Sequence, residues 1–226
     1  MQVKFTIPES LADIKLKDYQ KFVEVKSDDD IFVRQKMIQY FCNVPLLAVT
    51  KMPRKEFISI SNHLIKLTEE RPKLTPTISL NGLEYGFIPD LDNKMSLGEF
   101  IDIEQFMTDW KDFHKLMAVL YRPITLKKGG NYLIEEYDSK NMNYSTMLNM
   151  DMNTVFGAVF FFKTLSEQLL KITPKYLQQL LRTNKQAMEV LERNGVGINT
   201  FTLLLEEACS KLTLLLPYHL EKHSYS

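Results

Sequence analysis

Apolar residues fall at helical spacing over most of this chain. One run is Leu16, Tyr19, Phe22 and Val23, a second is Ile31, Phe32, Met37, Ile38, Phe41 and Cys42, and a third is Phe57, Ile60, Leu64, Ile65 and Leu67. The punctuation agrees. Ser10 is placed to cap a short turn, Ser27-Asp28-Asp29-Asp30 supplies an N-cap and carboxylates at the start of the second helix, and Pro45 stops it. Pro53 suits the first turn of the third helix. The period changes to two over 77–88, where Ile78 and Leu80, then Leu83, Tyr85 and Phe87, flank Asn81-Gly82. That dipeptide tolerates the positive φ of a type I′ turn, so the stretch predicts a β-hairpin. Residues 1–8 also alternate, as a short strand would.

Further along, Ser96 and Glu99 have the spacing of a capping box, and Trp110, Phe113, Leu116, Met117, Leu120 and Tyr121 predict another amphipathic helix. Residues 126–131, Leu-Lys-Lys-Gly-Gly-Asn, read as a flexible loop; 132–137 read as a short strand or extended segment, and 138–143 as a polar connection. From Met150 onward the pattern is wholly helical. One helix is expected over 151–171, a second from Thr173-Pro174 to Asn194-Gly195 with an apolar stripe at Leu177, Leu180, Leu181, Ala187, Met188 and Leu191, and a third over 198–216. The stripe suits core packing, with an intersubunit seam as the alternative.

Two segments share a layout. Ile14 to Phe22 leads through an acidic spacer into an apolar run closed by Val44-Pro45-Leu46, and Met95 to Ile103 leads into one closed by Arg122-Pro123-Ile124. The spans 11–50 and 95–128 therefore read as a duplicated helical unit, the alternative being two amphipathic helices alike by chance. The expected architecture is α+β and mainly α-helical, with a small β-hairpin and a C-terminal helical bundle. Residues 1–148 would form an α+β region and 149–226 a helical region packed on it.

Composition adds limits. The 226 residues carry 28 basic and 28 acidic side chains, so no global field holds a phosphate backbone and nucleic acid is not an expected partner. Cys42 and Cys209 sit in apolar sequence, as reduced buried thiols do. The start lacks the basic and apolar character of a signal peptide, and the longest apolar stretch, 155–162, is far short of the ~20 residues of a membrane span, so a soluble, unexported protein is expected.

Candidate chemistry is sparse. Asp28 to Asp30 read as a solvated helix start, since no partner ligands lie at metal-binding spacing. Asp90, Asp92 and Asn93 suggest a calcium loop, but Met95 stands where its glycine belongs and Ile101 where its glutamate belongs, so the stretch reads as a turn. His63 beside an apolar stripe reads as structural. No nucleophile elbow, zinc motif or phosphate-binding loop is present, and Glu135-Glu136 and Glu206-Glu207 read as solvated charges. The expectation is no catalytic residue, no cofactor and no metal. Arg122 at an apolar helix end needs a carboxylate or carbonyl; it would cap the helix or anchor a partner. Trp110 and Tyr121 are either core or interface residues, and Lys127 and Lys128 would be the contact point of a DNA-binding regulator.

Three strings carry a resemblance: Asn81-Gly-Leu-Glu-Tyr-Gly-Phe-Ile-Pro-Asp-Leu-Asp92, Leu97-Gly-Glu-Phe-Ile-Asp-Ile-Glu104 and Leu116-Met-Ala-Val-Leu-Tyr-Arg-Pro-Ile124. Together with 132–137 and the Phe-rich stretch 155–162, they resemble an uncharacterised family of tailed-bacteriophage proteins, found among crAss-like gut phages and their relatives. The resemblance spans about 11–170 and implies a virion or assembly role without a specific reaction. The expected function is a non-enzymatic structural protein of the head, neck or tail, located in the virion and, during assembly, in the host cytoplasm. Its partners would be other phage structural proteins and copies of itself, with no membrane. The alternatives are an assembly chaperone absent from the particle, a packaged cargo protein and the DNA-binding regulator.

Overall fold

A computed structural model describes residues 5–89, 95–162 and 164. It is α+β: 53% of those residues are helical, and a small antiparallel sheet of four strands lies among them. The chain runs through a 3-10 turn (Leu11–Asp13), α1 (Leu16–Val23), α2 (Asp30–Phe41), α3 (Leu46–Thr50) and α4 (Arg54–Thr68). It then forms β1 (Thr77–Leu80), β2 (Leu83–Phe87), α5 (Leu97–Phe106), a 3-10 turn (Trp110–Asp112), α6 (Phe113–Leu120), β3 (Tyr121–Lys128) and β4 (Asn131–Ile134). A last 3-10 turn (Tyr144–Asn149) leads into helix at 152–162. The expected turn at 90–93 and the helices over 173–194 and 198–216 lie outside the described residues.

The helix starts follow the sequence signals closely. The Asp29 carboxylate accepts from the Ile31 and Phe32 amides and so caps α2. Ser96 and Glu99 exchange hydrogen bonds as a capping box on α5. At the first turn the Asp13 carboxylate accepts from the Glu9 and Ser10 amides and the Ser10 hydroxyl, and these bonds lower its pKa. Phe5 to Pro8, in contrast, form no strand with any described residue, and the Pro8 carbonyl meets His63 Nε2 at 2.7 Å instead.

The sheet order is β1-β2-β3-β4. Asn81 (φ 53°) and Gly82 (φ 81°) join β1 to β2, as expected. The stretch read as a flexible loop is a second hairpin. Gly129 (φ 58°) and Gly130 (φ 84°) make a two-residue turn between paired Lys128 and Asn131, and Leu126 to Lys128 belong to β3. Glycine is the residue that adopts two successive positive φ angles without steric cost. The strand β3 also begins at Tyr121, where the helical pattern was expected to continue. Tyr121, Arg122 and Pro123 pair with Phe87, Gly86 and Tyr85, and β3 then transfers to β4 from Ile124 onward.

The segments read as a duplication diverge at their closing prolines. Pro45 precedes a helix, whereas Pro123 lies within a strand. Packing is shared across the expected boundary at 148–149. Tyr19 stacks on Phe41 at 5.9 Å and meets Trp110 at 4.8 Å and Phe156 at 5.4 Å, so residues from α1, α2, the 3-10 turn before α6 and the 152–162 helix occupy one core. An antiparallel bridge between Lys15 and Asp151 reinforces this, with the Leu16 amide donating to Met150 O and the Met152 amide to Ile14 O.

Gly157 marks a close approach of main chain in this packing. A Cβ there would lie 2.5 Å from the Lys73 carbonyl oxygen, a backbone atom with little room to yield. Gly98, also helical, would meet nothing nearer than 3.5 Å. Gly157→Ala should therefore destabilise the fold by about 1–3 kcal/mol through overpacking, while Gly98→Ala should be neutral or stabilising by up to ~1 kcal/mol. Urea unfolding of the two variants checks this; equal effects would show that the close approach carries no cost.

Candidate functional site

A buried polar cluster surrounds Glu99 and Arg122. Glu99 faces inward from the first turn of α5, and Arg122 enters from β3. Arg122 Nη2 donates to Glu99 Oε1 at 2.6 Å, with the two side chains 8% and 4% exposed. The other carboxylate oxygen, Oε2, accepts from the Ser96 amide at 2.6 Å. One carboxylate thus caps a helix and neutralises a buried cation. Burial pulls the Arg122 pKa down while Glu99 opposes the shift, and an arginine remains charged under either influence. Its Nε is buried without a hydrogen-bond partner among the described residues.

Tyr137 completes the cluster. Its ring lies 6.0 Å from the Arg122 guanidinium carbon, and its hydroxyl donates to the Asp102 carboxylate, one turn beyond Glu99 on α5. Burial first, and then that carboxylate, raise the tyrosine pKa, keeping the phenol neutral. Beside the cluster is a cavity of about 140 Å³ whose lining includes Tyr85, Arg122, Glu135, Glu136 and Met147. Glu135 and Glu136 are exposed, and the Glu135 amide extends the β3–β4 ladder by donating to Pro123 O at 2.9 Å.

The expected contact residues divide into two sets. Arg122, Trp110 and Tyr121 are 7%, 7% and 0% exposed, so they hold the chain together from within and offer no accessible anchor. Arg122 has the carboxylate that its position demanded, supplied by α5 and reached from a strand rather than a helix end. Trp110 stacks on Phe113 at 4.0 Å, and Gln20 Nε2 donates to its carbonyl at 2.7 Å. Tyr121 donates its hydroxyl to Thr75 O at 2.8 Å, and burial raises its pKa. Lys127 and Lys128 are exposed, but Lys127 Nζ already pairs with Glu84 at 2.5 Å on the adjoining strand.

Tyr137, Asp102 and Gln20 escaped the sequence reading because their partners are 35 and 90 or more positions away. Gly86 offered a readable sign: a glycine inside a strand often marks a close approach. Here the Tyr132 ring lies across it, 2.4 Å from where a Cβ would stand, and the Tyr132 hydroxyl donates to Phe87 O at 2.7 Å.

The arrangement ties α5 to the sheet. A buried guanidinium and carboxylate fix the angle between α5 and the sheet. Among the described residues no group of three His, Cys, Asp or Glu side chains is arranged to hold a metal ion, and no helix is long and apolar enough to cross a membrane. Comparison with known proteins gives no match to a family model, a curated protein or a solved structure.

Two outcomes are expected. Glu99→Gln and Arg122→Met should each destabilise by about 3–5 kcal/mol, because each strands a buried partner. The double variant should cost less than their sum by at least ~1 kcal/mol, read from urea unfolding as a double-mutant cycle; strict additivity would show that the two groups are uncoupled. Burial raises the Cys42 thiol pKa to about 11, and the residue is 6% exposed. In a Cys209→Ser background a disulfide reagent at pH 8 should therefore react at least ~100-fold more slowly with native than with denatured protein.

Proposed function

We propose that the chain is a non-enzymatic structural protein of a tailed-phage particle, working through contact with other particle proteins. The observation that carries this reading is the apolar surface at the tip of the sheet. Leu83, Leu126 and Leu133 are 56%, 55% and 54% exposed. Leu83 shares a face with Tyr85 by alternation, Leu126 pairs with Leu133, and the irregularity between Ile124 and Leu126 returns Leu126 to that same face. A row of leucines continuing a buried face into solvent is the composition of a protein contact.

The phage setting comes from the strings that resemble the tailed-phage family. They supply the Asn81-Gly82 turn, β2, α5, α6 and the start of β3, the elements held by Glu99 and Arg122. The virion is the proposed location, with the host cytoplasm during assembly. The regulator reading gains no support from Lys127, since its charge is already matched by Glu84.

Quantitative mass spectrometry of purified particles beside crude lysate tests the reading. The expected result is detection at a fixed ratio to the portal protein. Abundance in lysate with absence from particles would sink it and favour an assembly chaperone; variable, substoichiometric copies would favour cargo.

A further inference from the structure

The tip of the first hairpin stands open to solvent. Asn81, Gly82 and Leu83 are exposed, and nothing lies within 4 Å of the place that a Cβ on Gly82 would take. The ladder closes at the Leu80–Leu83 pair, and neither the Asn81 carboxamide nor the Gly82 amide makes a hydrogen bond among the described residues. Asn62 and Asn149, in contrast, have carboxamide oxygens that accept from Arg34 and Lys17. Every other asparagine among the described residues also precedes a residue with a side chain.

An asparagine carboxamide and the next backbone nitrogen are spaced so that attack of one on the other closes a five-membered ring. A Cβ on the following residue obstructs that approach, and glycine has none. We infer that Asn81 is a self-modification site, deamidating through a succinimide with water as the only co-reactant. The Gly82 nitrogen, losing its proton to solvent base, bonds to Asn81 Cγ; the Cγ–Nδ2 bond breaks and ammonia leaves. Water then opens the ring. Attack at the side-chain carbonyl yields aspartate, and attack at the main-chain carbonyl yields isoaspartate, whose main chain runs through Cγ. The second opening dominates, because the adjacent Cα nitrogen makes that carbonyl the more electrophilic. Ring closure demands rotation about the Asn81 backbone away from the turn. Asn81 sits at φ 53°, a region that an L-residue holds with less margin than glycine, and exposed tips open locally at little free-energy cost while a core stays packed.

The two products act differently on the hairpin. Asp-Gly keeps the type I′ turn and adds a carboxylate next to the exposed Leu83. Isoaspartate adds a methylene to the main chain of a two-residue turn, so Leu80 and Leu83 lose their register. Both changes fall at the apolar tip of the sheet, where they would mark the age of a molecule on its contact surface. The chemistry stands on the turn alone; only its effect on contacts rests on the particle reading.

Peptide mapping by mass spectrometry, with isoaspartyl methyltransferase labelling, tests this on the folded full chain held in warm, mildly alkaline buffer. Asn81 should deamidate at least ~10-fold faster than any other asparagine of the described residues, because only its attacking nitrogen belongs to a glycine. Isoaspartate should exceed aspartate at that position. Mapping separates it from Asn194-Gly195, the same dipeptide outside the described residues. Asn81→Gly retains residues suited to the turn and should stay unmodified there. After equal incubation the wild type should lose more melting temperature than this variant. An Asn81 that stays intact, or that changes no faster than its counterparts, would overturn the proposal; equal losses of melting temperature would overturn the effect assigned to the turn.

Discussion

The Glu99 carboxylate joins the helical and sheet parts of this fold. A carboxylate and a guanidinium removed from water pay a large desolvation cost, offset only when both are hydrogen-bonded in good geometry. Here Oε1 receives Arg122 and Oε2 receives the Ser96 amide, so helix capping and charge compensation depend on one side chain. The requirement is directional. An apolar contact between α5 and β3 would tolerate sliding, whereas this pair admits few arrangements and so sets the register of helix against strand. Tyr137 and Asp102 extend the same restraint to the segment following β4.

Around that restraint the core is largely aromatic. Tyr19, Phe41, Trp110, Phe113 and Phe156 interlock at ring separations of 4.0 to 6.2 Å, drawing on segments from residue 19 to residue 156. Edge-to-face and offset contacts of this kind add about 0.5–1.5 kcal/mol per pair beyond area burial. Glycines at 86 and 157 mark where main chain or ring comes too near for any side chain. The buried Gln20 is matched by a distant element, through the carbonyls of Trp110 and Lys111, whereas Ser61 and Thr68 bond carbonyls three residues back on their own helix.

Local chemistry was readable where the deciding partners lie within a few residues. An N-cap within Ser27 to Asp30, the Ser96–Glu99 box and the Asn81-Gly82 turn follow from sequence alone, and so does the mainly helical α+β class, while the choice of Asp29 as the cap is seen only in the fold. Reading failed where a distant element decides. Leu120 to Lys128 carries a helical apolar pattern at its start, yet pairing with β2 and β4 makes it a strand from Tyr121. Gly129-Gly130 was a hairpin signal overlooked because the flanking Lys127 and Lys128 looked like solvated loop. Arg122 announced its need for a partner, but the carboxylate lay 23 positions back and had an adequate role of its own as a cap. Trp110 and Tyr121 show the limit of composition: an aromatic suited to an interface is equally suited to a core, and only the fold distinguishes them.

The topology has a consequence for failure as well as for folding. Each hairpin closes locally through a two-residue turn, but β2 and β3 meet only at three residue pairs, after the chain has passed through α5 and α6. The sheet is therefore two ribbons joined by a late seam. If α5 and α6 lose their hold, the inner edges at Tyr85 to Phe87 and Tyr121 to Pro123 become exposed. Such edges pair with whatever strand is available, including those of other molecules. The helical clasp that orders the interior thereby also protects the chain from aggregation.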